Sequence, residues 1–550
     1  MAHRALLLSV SLLSLACATP QLVDPILPPE PASLRVAFEG MPGEADARIR
    51  VLDDNVDAWV AIANAVESAR VTLDVTYFII EPDAYGLAFL ELLAERARAG
   101  VAVRLMVDAR GCSGLLSGPE RVWLQAVQQA GVDVRVYNPV RHQIAATVIS
   151  GDLRRLAASN HDKLTIVDGR VVVAGGRNIA HDYLSDPRDL PAAYIDMDLR
   201  YESLSASARM TKAFAAELDG PHTQRLQDDD DDDHAEPRAI LALALAAMRS
   251  WVNDVPFTPA ELKALDQRDD DDQDAVHDAI ALVIERGVVK AAGMPDDVMK
   301  GLRKVTHMLA RAPHLRGANS RHVPAVADAV ALRVLDTHSA AGPDSPGPPS
   351  NNSVNDGLLA AVQSAQRELL IQTPYLVLTP RALNALEQAS ARGVAITILT
   401  NSPASSDSPA TQAAFLQQWP DLLARVPSAR LYVVAEGRLM HAKVGVVDDQ
   451  LAFVGSYNLD PISAAVNGEI VSAVWSADLA EHIGHLVRER IADGLPSIVE
   501  YRIERGPDGL PTSKGGKPVI VYGPDDHCTP SELASARALS PFLDFLAPIL

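Results

Sequence analysis

This chain is poor in cysteine, in aromatic side chains and in positive charge. Its three cysteines, Cys17, Cys112 and Cys528, stand far apart in 550 residues and outline no disulfide framework. Lys and Arg number 49 against 71 Asp and Glu, a formal net charge of −22. That balance weighs against broad nucleic-acid binding, which uses cations to displace counterions, although a small basic cleft can sit on an acidic protein. No convincing zinc or calcium motif occurs. Long hydrophobic runs are missing too: beyond the N-terminus no stretch reads as a transmembrane helix. What is present, 48% hydrophobic residues in a chain too long for one ordinary core, predicts a globular protein of two or more domains.

The N-terminus has the layout of an export signal: Arg4, an apolar run from Ala5 to Leu15, then small residues. Its ending, "LSLAC", resembles a bacterial lipoprotein box, with residues 1–17 as the signal and Cys17 as the lipidated residue. Ser14 stands where that box usually carries Leu, and ordinary cleavage near Ala16 or Ala18 is the alternative. The expectation is an exported bacterial protein anchored to a membrane and facing the periplasm; the cytoplasmic face of the inner membrane is the weaker alternative.

The strongest signal is an internal repeat. "HDKLTIVDGRVVVAGGRNI" (161–179) and "HAKVGVVDDQLAFVGSYNL" (441–459) share one form. Each has His-x-Lys, an apolar strand, an Asp at a turn, a returning strand, and an Asn 17 residues after the His. Side chains two apart on a strand share a face, so His161 with Lys163, and His441 with Lys443, point together. Upstream, "RAGVAVRLMVD" (98–108) parallels "ARGVAITILTN" (391–401), and "ANAVESARVTLDVTYFII" (63–80) parallels "LAAVQSAQRELLIQTPYLV" (359–377). Helix, strand, helix, strand, spacer and polar hairpin recur in that order. The pattern predicts an α/β fold of two similar halves, mixed sheets flanked by helices, and a pseudo-two-fold with the site between the halves.

Two His and two Lys facing one another suit attack on a phosphodiester. Lysine ammonium groups neutralise the non-bridging oxygens, one imidazole attacks phosphorus, and the other passes a proton to and from the departing and incoming oxygens. Asn178, Ser456 and Asn458 are candidate substrate-binding groups. Each imidazole needs its second nitrogen oriented, ideally by a carboxylate. Glu469 follows His441 by 28 residues; Asp196 and Asp198 follow His161 by 35 and 37.

The doubled His-x-Lys-x4-Asp motifs, with "GGRN" and "GSYN", resemble the phospholipase D superfamily, and within it the bacterial cardiolipin synthase branch. The resemblance runs from about Asp53 to about Glu500 and includes "TPYLVLTPRALNALEQASARGVAITILTNS" (373–402) and "FVGSYNLDP". It implies a phosphatidyltransferase or phospholipase D working through a phosphohistidine. His161 and His441 would be the nucleophile and acid, most often with the N-terminal His as nucleophile. Lys163, Lys443, Asn178 and Asn458 would hold phosphate, and Asp196 and Glu469 would orient the imidazoles. Asp168 and Asp448 complete the catalytic motifs, although their turn position points to support of the hairpin. No cofactor or metal is implied; the implied partners are glycerophospholipids at a membrane surface. Two departures bear on the acceptor: Ile462-Ser463 stands where the family usually has Arg-Ser, and "AAVNGE" replaces the commoner Asn-Thr-Glu ending while keeping Glu469.

The expected domain plan is a first half over 35–215, a helical acidic insert over 216–323, a linker over 324–355, a second half over 356–500 and a tail over 501–550. The insert carries "QDDDDDDH" (227–234) and "DDDDQD" (269–274), read as solvated charge runs, and "AILALALAAMRSWV" (239–252), read as a helix that packs on the core or lies on a membrane. The apolar end, "LSPFLDFLAPIL", has the same two readings. Two other functions stay open: a nuclease using the same chemistry, and a catalytically silent membrane-associated scaffold.

Overall fold

The computed structural model describes residues 27, 30–151, 154–227, 235–254, 305, 308, 309, 311–322, 329–339, 352–493 and 497–543. The signal, Cys17, both Asp runs and residues 544–550 lie outside them.

Asp and Ser/Thr caps start the helices that cover the sheet. Asp54 accepts from the Asp57 amide to open Asn55–Ser68, Asp83 accepts from Tyr85 and Gly86 to open Ala84–Arg98, and Thr379 and Ser408 open Pro380–Ala391 and Pro409–Arg425 with Pro in the first turn. The strands of the first half are β1 Glu44–Leu52, β2 Thr72–Tyr77, β3 Ala102–Asp108, β4 Asp133–Tyr137, β5 Lys163–Val167, β6 Val171–Gly175, β7 Asp198–Glu202 and β8 Thr223–Arg225. Those of the second are β9 Ala329–Thr337, β10 Glu368–Gln372, β11 Ala395–Asn401, β12 Ala429–Val434, β13 Val444–Val447, β14 Leu451–Gly455, β15 Glu469–Trp475 and β16 Ile498–Ile503.

Pairing gives one continuous order, β8-β4-β3-β2-β5-β6-β7-β1-β9-β15-β14-β13-β10-β11-β12-β16, whose two halves mirror each other about the antiparallel β1–β9 contact. β2-β3-β4 and β10-β11-β12 are parallel and the remaining pairs antiparallel, so the sheet is mixed. One apolar cluster packs the first half's helices on its sheet, and a second does the same for the other half. A third joins residues of both halves, among them Leu164, Ile166, Val172, Val444, Val446 and Val454. The helix of 235–253 packs on the first cluster through Leu241, Ala244, Leu245 and Met248, which settles its reading as core.

The domain plan needs five corrections. The helix Leu204–Leu218 crosses the 215 boundary, and β8 pairs with β4, so the first half runs on to Arg225. The 324–355 linker contains β9, a central strand paired on both sides. The helix Ser353–Ser364 starts before 356, and β16 runs across the 500/501 boundary while pairing with β12. Finally, Leu34 and Phe38, from the N-terminal edge, sit in the second half's core. β1, "EADARIRVL", alternates polar and apolar residues, but its first two inward positions are alanines, small and weakly strand-forming, and its outward ones are charged.

Candidate active site

Each hairpin turns through three residues, the first two with positive φ, Asp168 (50°) with Gly169 (58°) and Asp448 with Asp449 (both 53°), closed by Arg170 and Gln450 amides donating to Val167 O and Val447 O. The register pairs Val444 with Val454, which sets Lys443 opposite Gly455 at the mouth. Asp168 accepts from the amides of Arg70, Val71 and Thr72, and Asp448 from those of Gln366, Arg367 and Glu368. These carboxylates pin the hairpin tips to the starts of β2 and β10, at the opposite end of the strands from the histidines. They do not join the catalytic groups.

The segments before β5 and β13 cross between the halves. The His161 amide donates to Gly468 O (2.9 Å), and Gly468 returns a bond to Ser159 O. The His441 amide donates to Ile195 O (2.7 Å), and Ile195 donates to Leu439 O. Each histidine is thereby threaded beside the residue preceding a carboxylate of the other half. His161 Nδ1 lies 3.1 Å from both Glu469 oxygens, and His441 Nδ1 lies 2.7 Å from Asp196 Oδ2. The spacing within each half had pointed to Glu469 for His441; the structure exchanges the partners. Asp198 instead pairs with buried Arg177, whose guanidinium also binds Asp196 O, Leu52 O and Asn55.

The two carboxylates are held differently. Glu469 accepts from Ser456 Oγ (2.5 Å) and Ser463 Oγ (2.6 Å). Ser456 is fully buried and spends its hydroxyl there, so it supports Glu469 and does not bind substrate as expected from sequence. Its counterpart is Gly176, where a Cβ would come within 2.1 Å of Asp196 Oδ1. Gly176→Ala should therefore shift the Asp196 carboxylate and lower kcat about 100-fold. Steady-state kinetics on a variant with an unchanged melting temperature checks this, and an unaltered kcat would refute it.

Lys163 Nζ donates to His161 O (2.7 Å), while Lys443 Nζ lies 2.9 and 3.0 Å from the ring nitrogens of His441. Asn178 Oδ1 accepts from the Ile79 amide, and the Asn458 backbone amide donates to Ser463 Oγ (3.2 Å); both side chains are buried. Burial, then the neighbouring Lys163 and Lys443, hold His161 well below the usual imidazole range. Burial and Lys443 bring His441 down to about 4. Burial also lowers Lys163 to about 7 and Lys443 to about 8, and raises Glu469 to about 7. Asp196 is the exception: burial raises it, but His441 and Lys443 outweigh that and hold it at about 2. One imidazole thus faces a carboxyl that readily holds a proton, the other a firmly ionised carboxylate.

Several neighbours carried no sequence signal. The Phe78 ring meets His161 edge-on at 4.8 Å and lies under Lys163 and Arg110. Tyr183 meets His441 edge-on at 5.1 Å, and Tyr194 stacks on it. Asp108 and Asn401, ending β3 and β11, hold the chain just before each histidine through the Asn160 amide and the Met440 backbone. Their matching places at the ends of "RLMVD" and "ILTN" were the available clue. Cys112 and Cys528 are free and buried.

The family described as cardiolipin synthase, PLD-like domain, matches residues 62–213 and 358–489, one block in each half. Cardiolipin synthase 1 of Bacillus anthracis is 22% identical over 446 residues, 81% of this chain and 67% of that protein. Cardiolipin synthase C of Escherichia coli (strain K12) is 25% identical over 449 residues, covering 78% of this chain and 82% of its own. Among solved structures, phosphatidylserine synthase of Haemophilus influenzae Rd KW20 superposes with a TM-score of 0.57 at 12% identity, over 94% of this chain and 100% of that one, a likeness of fold alone. With a matching block in each half, the chain belongs to the cardiolipin synthase, phospholipase D-like family.

Proposed function

We propose that this protein is a cardiolipin synthase-like phosphatidyltransferase working through a phosphohistidine. One observation carries the reading: two His-x-Lys pairs from different halves, each imidazole oriented by a carboxylate of the opposite half. Family membership and the cardiolipin synthase relatives support the lipid substrate.

The donor's phosphoryl oxygens bind between Lys163 and Lys443, with Asn178 and Asn458 beside them. Both imidazoles are held below their usual range and both lysines bond the carbonyl of their own histidine; we assign the attack to His161 because Lys443 also covers the ring nitrogens of His441. The Nε2–P bond forms as the bond from phosphorus to the headgroup oxygen breaks, and His441 gives that oxygen its proton. Burial and Lys443 hold His441 at about 4, so the imidazolium this requires forms with ionised Asp196 and the bound phosphate's negative charge offsetting Lys443. A hydroxyl of a second phospholipid then yields its proton to His441, bonds to phosphorus and releases His161. Water at that step gives phosphatidic acid instead.

Mass spectrometry of products from phosphatidylglycerol and phosphatidylethanolamine vesicles tests the reading. Cardiolipin formed by the wild type and absent from His441→Ala supports it; phosphatidic acid alone makes the protein a phospholipase D. Because both lysines must be charged to hold phosphate, affinity for inorganic phosphate should fall as pH rises past 7 to 8, by about tenfold per unit for each lysine lost. Calorimetric titration from pH 6 to 9 reads this, and a flat affinity would contradict it.

Membrane contact belongs to the same proposal. The helix Val140–Ser150 buries Gln143 and Ala146 while exposing Val140, Ile144, Val148 (78%) and Ile149 (76%), and it carries Arg141 and no acid. Apolar side chains outward and an amide inward suit a lipid surface better than water. The export signal and Cys17 support attachment at the periplasmic face, which mass analysis of the mature N-terminus would check.

A further inference from the structure

The two halves are not equivalent beneath their lysines. In the first half, Thr165 follows Lys163 on the same strand face, and its hydroxyl meets that of Tyr77 at 3.1 Å. The hairpin registers make Gly445 the counterpart of Thr165 and Thr373 that of Tyr77. A glycine and a threonine thus replace a threonine and a tyrosine. The helix above follows suit: Ile62 and Val66 are sealed in the first half, while Leu358 and Val362, their counterparts, are partly exposed.

The missing volume is a cavity of about 90 Å³ between the helix Ser353–Ser364 and strands β10, β13 and β14. Its lining is apolar, with Val362, Ile371, Val447 and Phe453 among it, Gly445 in its wall, and Lys443 as the charged member. Lys443 to Val447 spans about 13 Å at roughly 3.3 Å per residue. A strand-interior glycine costs stability and leaves room for a ligand or another chain segment to approach the backbone.

We infer that this cavity receives one fatty-acyl chain of the phospholipid whose phosphate Lys443 holds, an inference that rests on the lipid reading of the site. An apolar cavity with the phosphate-binding Lys443 in its lining matches a headgroup phosphate joined to a hydrocarbon tail. The second half thereby supplies chain-length selectivity, and the first, filled by Tyr77 and Thr165, does not.

A Cβ at Gly445 would lie 3.6 and 3.7 Å from Phe453 atoms, ordinary contacts at a position without positive φ. Gly445→Val can therefore fill the cavity without forcing the backbone, and Gly445→Ala is the milder second variant. The first readout is binding of cis-parinaric acid by fluorescence. Gly445→Val should weaken it about tenfold, a loss of roughly two buried methylenes' worth, with Gly445→Ala between. The second is kcat/KM on phosphatidylglycerols of increasing chain length: the long-chain advantage should shrink by a similar factor while the dihexanoyl lipid is turned over as before. Equal parinarate binding by wild type and Gly445→Val, or none by wild type, overturns the inference. Parinarate binding lost in the variant, with no phosphatidylglycerol turned over by either protein, upholds the acyl cavity and instead sinks the transferase reading.

Discussion

His161→Asn should lower turnover of phosphatidylglycerol by about 1000-fold or more, since it removes the nitrogen that takes the phosphatidyl group. His441→Asn should cost a similar factor with lipid substrates, but for a different reason, and a diester with a p-nitrophenolate leaving group separates the two. That group departs without a proton. His441→Asn should therefore release about one equivalent in a burst and then stall, because nothing activates the acceptor hydroxyl. His161→Asn should show no burst at all. A burst in His161→Asn and none in His441→Asn would exchange the two roles.

The carboxylates should give the next largest effect, and an unequal one. Asp196→Asn leaves His441 without the anion that supports its imidazolium, an expected loss of about 100- to 10,000-fold in kcat. Glu469 behaves otherwise because burial lifts its carboxyl to about 7. A carboxyl with a raised pKa is protonated below that value, so at pH 6 it already resembles glutamine. Glu469→Gln should thus cost about tenfold or less at pH 6, with a penalty that grows above pH 7 as the wild-type group ionises. Parallel pH–kcat profiles of the two variants read the difference; equal losses at every pH would contradict it.

The repeat in the sequence carried much of this. His161, Lys163, Asn178 and their counterparts 280 residues on announced two hairpins and one shared site, because a strand's period of two and a fixed His-to-Asn spacing survive in the chain's own lettering. What the lettering could not carry was the exchange of carboxylates. Nothing local in "YIDMDLR" or "VNGE" says that Ile195 and Gly468 bond to the opposite half's histidine segment. The same holds for Ser456, which looks like a phosphate ligand in "GSYN" until Glu469 is seen beside it. Strands β1 and β9, which join the halves, escaped because one is charged and the other lay within a stretch dominated by linker composition.

During turnover His161 should carry a phosphatidyl group. Wild-type protein mixed with phosphatidylglycerol and quenched within the first turnovers in alkaline denaturant, where a P–N bond survives, can be digested and mapped by mass spectrometry. The phosphatidyl mass should appear on the peptide containing His161 and be absent from the His441 peptide. Modification of the His441 peptide alone, or of neither peptide while cardiolipin accumulates, would contradict it.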